Sequence, residues 1–584
     1  MILACYDDDT IFPGFRACRP RQAGGEPAAR AFLWVKFKAM LQKNIMNLQS
    51  ANTTRNLFLA GLSGVLMTGA FPNIEFSGLI WFALTPLMIA LQEQSPAQGF
   101  RLGFFAGCVH YTTLMYWLAY TLMTFGHMPF YLSLPILLLL VGYMALYPAI
   151  FAAVFSWIHD RPAGWLAILP ALWVALEYVR SFFLSGFPWE FLGYSQYRHI
   201  YMIQIADITG VYGVSFLIAA VNTALFLLWR GWTERHTSRC MLRRAEAAGG
   251  AAVAALLVIH VLAYGQWRTH LLDTWIAKAP APEFTVVQGN IDQSEKWDPA
   301  FQIATIEKYI RLSESAKDSS ARSHLVVWPE TAAPFYFLSM AAPTEQVIEG
   351  IRKTGCDFLI GSPSFVQKDE NHVNYYNSAF LMSSNGEFLG KYDKVHLVPF
   401  GEYVPLHQWF PFIGKMVEGV GDFRSGKEGH TLVWGQYLLG IQICYEMIFP
   451  DLARKMVRNH AAFLINMTND AWYGKTSAPY QHFSMAVFRA VENHRSLIRA
   501  ANTGISGFID PAGRIVATTP IFTEAALTHA MPVVTMESFY TRYGDVFSRI
   551  CLGISVLLSL FIFFKNRQWA IKKTPLPVIS NPSN

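Results

Sequence analysis

Two hydrophobic patterns divide the chain. From residue 57 to residue 266, long apolar stretches follow one another, at 57–74, 76–92, 102–126, 128–158, 163–183, 208–229 and 247–266. A helix needs about 20 mainly apolar residues to cross a bilayer, and buried helices of a soluble domain seldom form such a series. The pattern predicts a membrane domain of seven transmembrane helices within residues 50–266, and a later apolar stretch predicts an eighth at 546–565.

Between the seventh and eighth predicted spans the pattern is typical of an α/β domain. Short β-rich runs occur at 284–288, 324–330, 357–362, 378–383, 438–444, 461–466, 496–502 and 505–510. Helical candidates alternate with them, at 299–316, 343–354, 448–458 and 480–493. Strands that read as nearly continuous apolar runs are buried on both faces. Residues 267–545 are therefore predicted to form a layered α/β domain with its chemistry at the strand ends.

Composition and charge support a membrane protein and orient it. The chain is 53% hydrophobic and 15% charged, whereas soluble domains are about 25% charged. Basic residues precede the first predicted span, fill the segment 230–244 and follow the eighth span. Because loops rich in Lys and Arg stay in the cytoplasm, residues 267–545 are expected on the periplasmic side of an inner membrane. Residues 566–584 are then a cytoplasmic tail.

The first 45 residues do not fit this plan. They contain three consecutive aspartates and several arginines, but no apolar core of a signal peptide. Residues 1–45 are therefore predicted to be an N-terminal extension, and Met46 or Met40 is a candidate for the native start.

Three predicted strand ends carry reactive side chains. VVWPE ends in Glu330, KYDKVHLVPFGEYVP carries Lys394 and Glu402, and IQIC ends in Cys444. Each alone has an ordinary explanation as a turn cap, a surface charge or a small buried apolar residue. Together they offer a nucleophile, a base for the thiol proton and a cation for the resulting negative charge. The seven cysteines form no CxxC pair and the histidines no HExxH motif, so neither a metal nor another cofactor is predicted.

These residues and the motif NDAWYG at 469–474 resemble the nitrilase, or carbon–nitrogen hydrolase, superfamily. The resemblance implies a four-layer α-β-β-α sandwich behind the multi-span α-helical membrane domain. It also implies that Glu330 is the general base, Lys394 stabilises the oxyanion and Cys444 is the nucleophile. Glu402 matches a second glutamate that supports the site.

A domain of this kind between seven spans and a final span is similar to the apolipoprotein N-acyltransferase family of the bacterial inner membrane. The motifs that carry this likeness are FPWEFLGYSQY at 187–197, QGNIDQSEKWD at 288–298, HLVPFGEYVP at 396–405 and CYE at 444–446. The resemblance implies that Cys444 takes an acyl chain from a phospholipid as a thioester and passes it to the N-terminal amine of a diacylglyceryl-cysteine apolipoprotein. A monomer is expected, with no nucleic-acid partner.

Further side chains are candidates for supporting roles. The backbone N–H of Tyr445 is a candidate oxyanion donor. Glu446 either holds a nearby loop or basic group or has a structural role at the surface. By the resemblance Trp297 belongs to a lid, whereas Trp472 and Tyr473 either line the site or fill the core. A second, apolar lid is expected at 399–416, on the bilayer or packed on its own domain, and its apolar side chains are Trp409, Phe410, Phe412 and Ile413. In the membrane domain a charged and aromatic cluster either grips a lipid head group or anchors the interface: Glu177, Arg180, Trp189 and Glu190.

Other interpretations use the same residues differently. A membrane-tethered amidase or nitrilase would need the same three catalytic groups but not seven spans. A transporter with a non-catalytic exported domain would need the spans but not the catalytic groups. A disulfide between Cys356 and Cys444 is possible in an oxidising compartment and would remove the nucleophile.

Overall fold

The structure, a computed structural model, describes residues 52–158, 165–234, 240–314, 324–369, 372–399, 401–403 and 423–573. Residues 56–584 form one compact unit. That unit holds two parts: a helical part at residues 56–276, called here the membrane half, and an α/β region at residues 283–530. A last long helix follows the α/β region.

The membrane half consists of helices joined by short turns. Helix α1 covers residues 52–69, and those after it are α2 Ile80–Ala83, α3 Thr85–Ala90, α4 Pro96–Leu114, α5 Trp117–Thr124, α6 Phe130–Ile158, α7 Trp165–Arg180, α8 Ile200–Ile203, α9 Ala206–Thr209, α10 Val211–Thr233 and α11 Cys240–Ile276. Among the described residues, three helices are long and apolar enough to cross a bilayer, at Phe130–Ile158, Val211–Thr233 and Met241–Ile276. This supports a membrane domain, and the count of seven crossings stays a prediction.

The second predicted span, 76–92, is a broken helix rather than a continuous one. It is interrupted at Leu84, between α2 and α3. Asn222 of α10 fills the interruption: its Oδ1 accepts the backbone N–H groups of Leu84 and Thr85 at 2.8 and 3.1 Å, and its Nδ2 donates to the carbonyl of Ile80 at 2.9 Å. Backbone groups freed inside a membrane protein need such partners because lipid offers none. The hydrophobic pattern did not reveal this break.

Two six-stranded sheets form the α/β region. Their strands are β1 Glu283–Gln288, β2 His324–Val327, β3 Asp357–Asp369, β4 His372–Met382, β5 Phe388–Asp393, β6 Thr431–Trp434, β7 Tyr437–Ile443, β8 Phe463–Thr468, β9 Ser496–Ala501, β10 Gly507–Ile509, β11 Ile515–Thr518 and β12 Ala525–Ala530. The first sheet has the order β12-β1-β2-β3-β4-β5 and the second β11-β10-β9-β8-β7-β6. Strands β1, β2 and β3 run parallel, as do β7, β8 and β9.

The sheets pack face to face and helices cover their outer faces. The rings of Phe284 and Phe463, one from each sheet, lie 4.8 Å apart between centroids. Val326 and Trp328 point to the opposite side and pack under α12 Pro299–Ser313 and α13 Ala341–Thr354. Helices α14 Pro450–Arg458 and α15 Ala478–Asn493 cover the second sheet. The predicted α-β-β-α sandwich is thus confirmed. The chain ends with α16 Phe539–Tyr543 and α17 Val546–Lys573.

Gln481 of α15 joins the α/β region to the membrane half. Its Oε1 accepts the indole N–H groups of Trp117 and Trp189 at 3.2 and 2.9 Å. Its Nε2 donates to the backbone carbonyls of Pro72 and Leu114 at 3.1 and 3.2 Å. One buried amide therefore connects three separate segments of the membrane half to the helix that backs the second sheet.

Candidate active site

The structure brings together the side chains at three predicted strand ends. Glu330 lies just beyond β2, Lys394 directly follows β5, and Cys444 directly follows β7. Lys394 Nζ lies 3.4 Å from Glu330 Oε1 and 2.9 Å from Glu402 Oε1. The charges of Glu330 and Lys394 both act on the Cys444 thiol. The two sheets therefore contribute jointly to one buried site.

Asn377 of β4 orients both carboxylates, a role that no sequence pattern predicted. Its Nδ2 donates to Glu330 Oε1 at 2.8 Å and to Glu402 Oε1 at 2.9 Å. The backbone N–H of Asn469 donates to the other oxygen, Glu330 Oε2, at 3.0 Å. Glu330 is thus held on both oxygens, and a fixed carboxylate is what a general base requires.

Cys444 occupies a sharp turn at the end of its strand. Its φ is 52°, in the left-handed region that non-glycine residues seldom adopt. Burial raises the pKa of its thiol to about 12; the Glu330 carboxylate adds to this rise and the Lys394 ammonium opposes it. At neutral pH the resting group is therefore a thiol, and a base must remove its proton as it attacks.

Lys394 keeps its charge inside the protein. Burial alone would lower its pKa, but the carboxylates of Glu402 and Glu330 more than offset this and hold the pKa above its usual range. A lysine that stays protonated can face a developing negative charge without first taking up a proton.

Glu446 holds the loop that carries Lys394. Its Oε1 accepts the backbone N–H groups of Val395 and His396 at 2.6 and 3.0 Å, and its Oε2 accepts that of Ile443 at 2.7 Å. The Tyr392 hydroxyl donates to both oxygens at 3.1 Å. Because Glu446 is fully buried, these contacts fit the loop-holding interpretation rather than a surface role.

The aromatic candidates lie against the membrane half. The Tyr445 hydroxyl reaches the carbonyl of Gly186 at 3.5 Å. The Tyr473 ring meets Trp117 edge-on at 5.0 Å, and Trp472 meets Phe125 edge-on at 5.3 Å. The wall of the site is therefore shared with the membrane half, and neither Trp472 nor Tyr473 is simply part of the core between the sheets.

The remaining candidates divide into exposed, buried and undescribed groups. Trp297 is 38% exposed, which leaves its lid role a prediction. Cys356 and Cys444 are both free thiols, so the disulfide between them is not formed. The side chains predicted for the apolar lid lie outside the described residues: Trp409, Phe410, Phe412 and Ile413.

The charged cluster of the membrane half is enclosed by protein. Glu177, Arg180, Trp189 and Glu190 are all at most 5% exposed, and Arg180 donates to the Tyr111 hydroxyl at 2.8 Å. The cavity beside them measures about 20 Å³, room for about one water molecule. These residues do not form an open cleft for a lipid head group.

Lys296 is a site residue that the sequence analysis missed. Its side chain is 2% exposed, and its Nζ donates to the backbone carbonyl of Glu330 at 3.0 Å. Only the quoted motif QGNIDQSEKWD pointed to this segment, and within it Trp297 attracted attention rather than the lysine before it.

Comparisons with known proteins agree with this architecture. Residues 63–224 match the model of the apolipoprotein N-acyltransferase N-terminal domain, and residues 284–540 match that of carbon-nitrogen hydrolase. Among solved structures, yeast Nit3 of the nitrilase superfamily matches with a TM-score of 0.34 and 20% identity, over 43% of this chain and 90% of that one. An amidase from Nesterenkonia sp. matches with a TM-score of 0.33 and 20% identity, over 44% and 92%.

Two relatives that match most of this chain are both named apolipoprotein N-acyltransferase. The apolipoprotein N-acyltransferase of Geobacter metallireducens is 44% identical over 510 residues, which cover 87% of this chain and 95% of that protein. The apolipoprotein N-acyltransferase of Methylococcus capsulatus is 32% identical over 498 residues, covering 84% and 92%. With identity of this extent in both halves, the chain belongs to the apolipoprotein N-acyltransferase family.

Proposed function

We propose that this enzyme moves a fatty acyl chain from a phospholipid to the N-terminal α-amino group of a diacylglyceryl-cysteine apolipoprotein, through a thioester on Cys444. The observation that carries the proposal is the buried group formed by Glu330, Lys394 and Cys444 at strand ends that face the membrane half. Membership of the family indicates the class of reaction, and the three side chains offer a base, a cation and a nucleophile for it.

The first stage forms the thioester. Glu330 takes the proton from Cys444 Sγ as the sulfur attacks the ester carbonyl carbon of the phospholipid. The carbonyl oxygen becomes an oxyanion beside the Lys394 ammonium, with the Tyr445 N–H as a second donor. When the tetrahedral intermediate collapses, the carbon–oxygen bond of the glycerol ester breaks. Glu330 returns its proton to that oxygen, and a lysophospholipid leaves.

The second stage forms the amide. The neutral α-amine of the apolipoprotein attacks the thioester carbonyl carbon, and Glu330 takes one of its protons. The carbon–sulfur bond breaks, and the proton on Glu330 passes back to the Cys444 sulfur. One carboxylate thus serves both stages, which explains why Asn377 and Asn469 fix both of its oxygens.

The location of the site suits substrates that are held in a membrane. Tyr445, Trp472 and Tyr473 contact the membrane half, so an acyl chain in the outer leaflet would lie close to the thiol. We place the enzyme in the inner membrane, acting as a monomer, with its α/β region in the periplasm. A tethered amidase with small soluble substrates would gain nothing from a site wall shared with apolar helices.

A transfer assay tests this proposal. Purified full-length enzyme in detergent is mixed with phosphatidylethanolamine vesicles and a synthetic diacylglyceryl-cysteine peptide that has a free amine. We expect one fatty acyl mass on the peptide amine and one lysophospholipid for each peptide, both lost in Cys444→Ala. Release of ammonia from small amides, with no acylated peptide, would instead establish the amidase.

A further inference from the structure

The charges around Lys394 do not balance by themselves. Its single ammonium contacts two carboxylates, Glu330 at 3.4 Å and Glu402 at 2.9 Å. Asp470, another carboxylate whose charge acts on the thiol, is already paired with Arg499 at 2.8 Å. An uncompensated charge in a buried site is costly. It would also oppose the negative charge that forms on sulfur and on the oxyanion.

Lys296 is the buried cation placed to offset this excess. Its Nζ donates to the Glu330 carbonyl at 3.0 Å, and its charge interacts with the Glu330 carboxylate and with Cys444. An ammonium has three N–H donors, of which this contact uses one. The charge of Lys296 therefore acts on both the proposed base and the proposed nucleophile.

The loop that carries Lys296 is fixed to the same network as the general base. Asn502 Oδ1 accepts the backbone N–H of Ile291 at 2.9 Å, and Asn502 Nδ2 donates to Asn469 Oδ1 at 3.0 Å. Asn469 in turn donates through its side chain to Gln293 at 2.7 Å and through its backbone to Glu330 Oε2 at 3.0 Å. A lysine on so firmly held a segment has a fixed position relative to Glu330.

We propose that Lys296 is the second cation of the active site. It positions Glu330 through the backbone bond and, by balancing the carboxylate that Lys394 leaves uncompensated, makes the Cys444 thiolate easier to form. The inference rests on the proposed nucleophile. The other groups that bear on the thiol are Glu330, Lys394, Thr468, Asp470, Tyr473 and His482.

The test measures thiol reactivity without any lipid. Cys444 of the full chain in detergent is alkylated with iodoacetamide between pH 7 and 10, and its peptide is followed by mass spectrometry. Lys296→Gln removes the charge but keeps a donor for the Glu330 carbonyl, and Lys296→Arg keeps the charge. Burial lowers the pKa of Lys296 to about 8, although the charges of Glu330 and Cys444 act in the opposite direction. We therefore expect alkylation about tenfold slower in Lys296→Gln at pH 7, the effect of losing one nearby opposite charge, and a smaller difference above pH 8, where Lys296 loses its proton. Lys296→Arg should react at a rate near wild type at pH 7.

A double variant separates charge balance from damage to the fold. Lys296→Gln combined with Glu402→Gln removes one charge of each sign, so we expect faster alkylation than in Lys296→Gln alone. An unchanged alkylation rate in folded Lys296→Gln, or a double variant slower than both single variants, would overturn the inference. A raised KM for phospholipid with unchanged alkylation would also overturn it and make Lys296 a substrate contact.

These outcomes are independent of the proposed reaction. Absence of acyl transfer by the wild type would count against the acyltransferase proposal. The alkylation rates would still report on the charge balance, because they need neither donor nor acceptor.

Discussion

Cys444 stands at a φ of 52° with its thiol pKa raised to about 12, mainly by burial. A raised thiol pKa means that the thiolate is scarce at neutral pH and grows as pH rises toward that value. The resting enzyme is thereby protected from adventitious alkylation and oxidation, which both require the thiolate. In the proposed reaction, attack by the sulfur therefore depends on a base, the role that we propose for Glu330.

The raised pKa predicts an unusual pH profile for the wild-type thiol. Alkylation of Cys444 by iodoacetamide should still be increasing at pH 10, whereas an ordinary cysteine levels off above its pKa of about 8.5. The rate constants are measured by peptide mass spectrometry at several pH values, with a free cysteine peptide as the reference. A plateau below pH 9 would contradict the raised pKa of the Cys444 thiol.

The two glutamates beside Lys394 should differ in their effect on thioester formation. Glu330→Gln removes the proton acceptor and should slow the step by about 10²–10⁴-fold, the usual contribution of a general base. Glu402→Gln is the matched control, because it removes a carboxylate from Lys394 but leaves the base in place. Rapid-quench measurement of acyl-enzyme formation compares them. If Glu402→Gln slowed acyl-enzyme formation more than Glu330→Gln, Glu402 would be the general base and Glu330 the supporting carboxylate.

At the scale of elements, the Glu446 carboxylate holds the start of the loop after β5. Glu446 accepts backbone N–H groups on both sides of the site, from Val395 and from Ile443. It therefore joins the Lys394 loop of one sheet to the Cys444 turn of the other. The link therefore helps to set the distance between the Lys394 ammonium and the Cys444 thiol.

Glu446→Gln should lower kcat with little change in KM for phospholipid. The amide presents an N–H₂ group to backbone donors, and each lost bond to a charged group costs about 1.5–3 kcal/mol. We therefore expect a loss of about 10–100-fold in kcat. Tyr392→Phe, which removes one donor to the same carboxylate, is a milder control. A selective rise in KM would contradict the positioning role.

The broken helix in the membrane half depends on Asn222. Asn222→Ala should lower the thermal unfolding temperature in detergent, because buried backbone groups left unpaired cost about 1–3 kcal/mol each. Thr223→Ala is the control, since the Thr223 hydroxyl bonds only to Ala219 within its own helix, at 2.8 Å. Equal unfolding temperatures for the two variants would contradict the role given to Asn222.

The elements differ in how well the sequence predicts them. All eight predicted β-rich runs are interior strands, where burial on both faces makes the apolar run conspicuous. The four that were missed, β5, β6, β11 and β12, are the edges of the two sheets. They are in part exposed, so their apolar pattern is weak. The break in the helix at Leu84 was not predicted, because Asn222, which bonds to the freed backbone groups, lies far away in the sequence.

The residues of the candidate site also differ in how well the sequence predicts them. Glu330 and Cys444 could be found because each ends a recognisable apolar run, and Lys394 because it lies in the segment KYDKVHLVPFGEYVP. Asn377 lies within an antiparallel strand, where an isolated polar residue does not indicate a functional site. Lys296 cannot be distinguished by sequence from an ordinary lysine in a surface loop. Their contacts depend on how strands distant in sequence are brought together, and local patterns do not contain that information.

At the scale of the whole molecule, the membrane half forms one wall of the active site. Gln481 accepts from Trp117 and Trp189 and donates to the carbonyls of Pro72 and Leu114. Trp117 and Trp189 in turn pack around Tyr473. If the proposed function holds, the fit between the two parts sets the shape of the space beside Cys444 that an acyl chain would enter.

Gln481→Leu should impair acyl transfer from phospholipid vesicles more than it impairs alkylation of Cys444. The substitution leaves two buried indole N–H groups and two carbonyls without their partner, which disturbs the shared wall but not the catalytic group. Gln367→Ala, at an exposed glutamine of β3, is the control. Equal losses in both assays would show that Gln481 serves the fold of the α/β region instead.

The central claim, that Cys444 carries the acyl chain, is tested most directly by intact mass. Wild type and Cys444→Ala are incubated with phosphatidylethanolamine vesicles without acceptor, and whole-protein masses are recorded before and after neutral hydroxylamine. We predict one fatty acyl increment on the wild type, removed by hydroxylamine and absent from the variant. An increment that survives hydroxylamine, or one that Cys444→Ala also acquires, would contradict a thioester at Cys444.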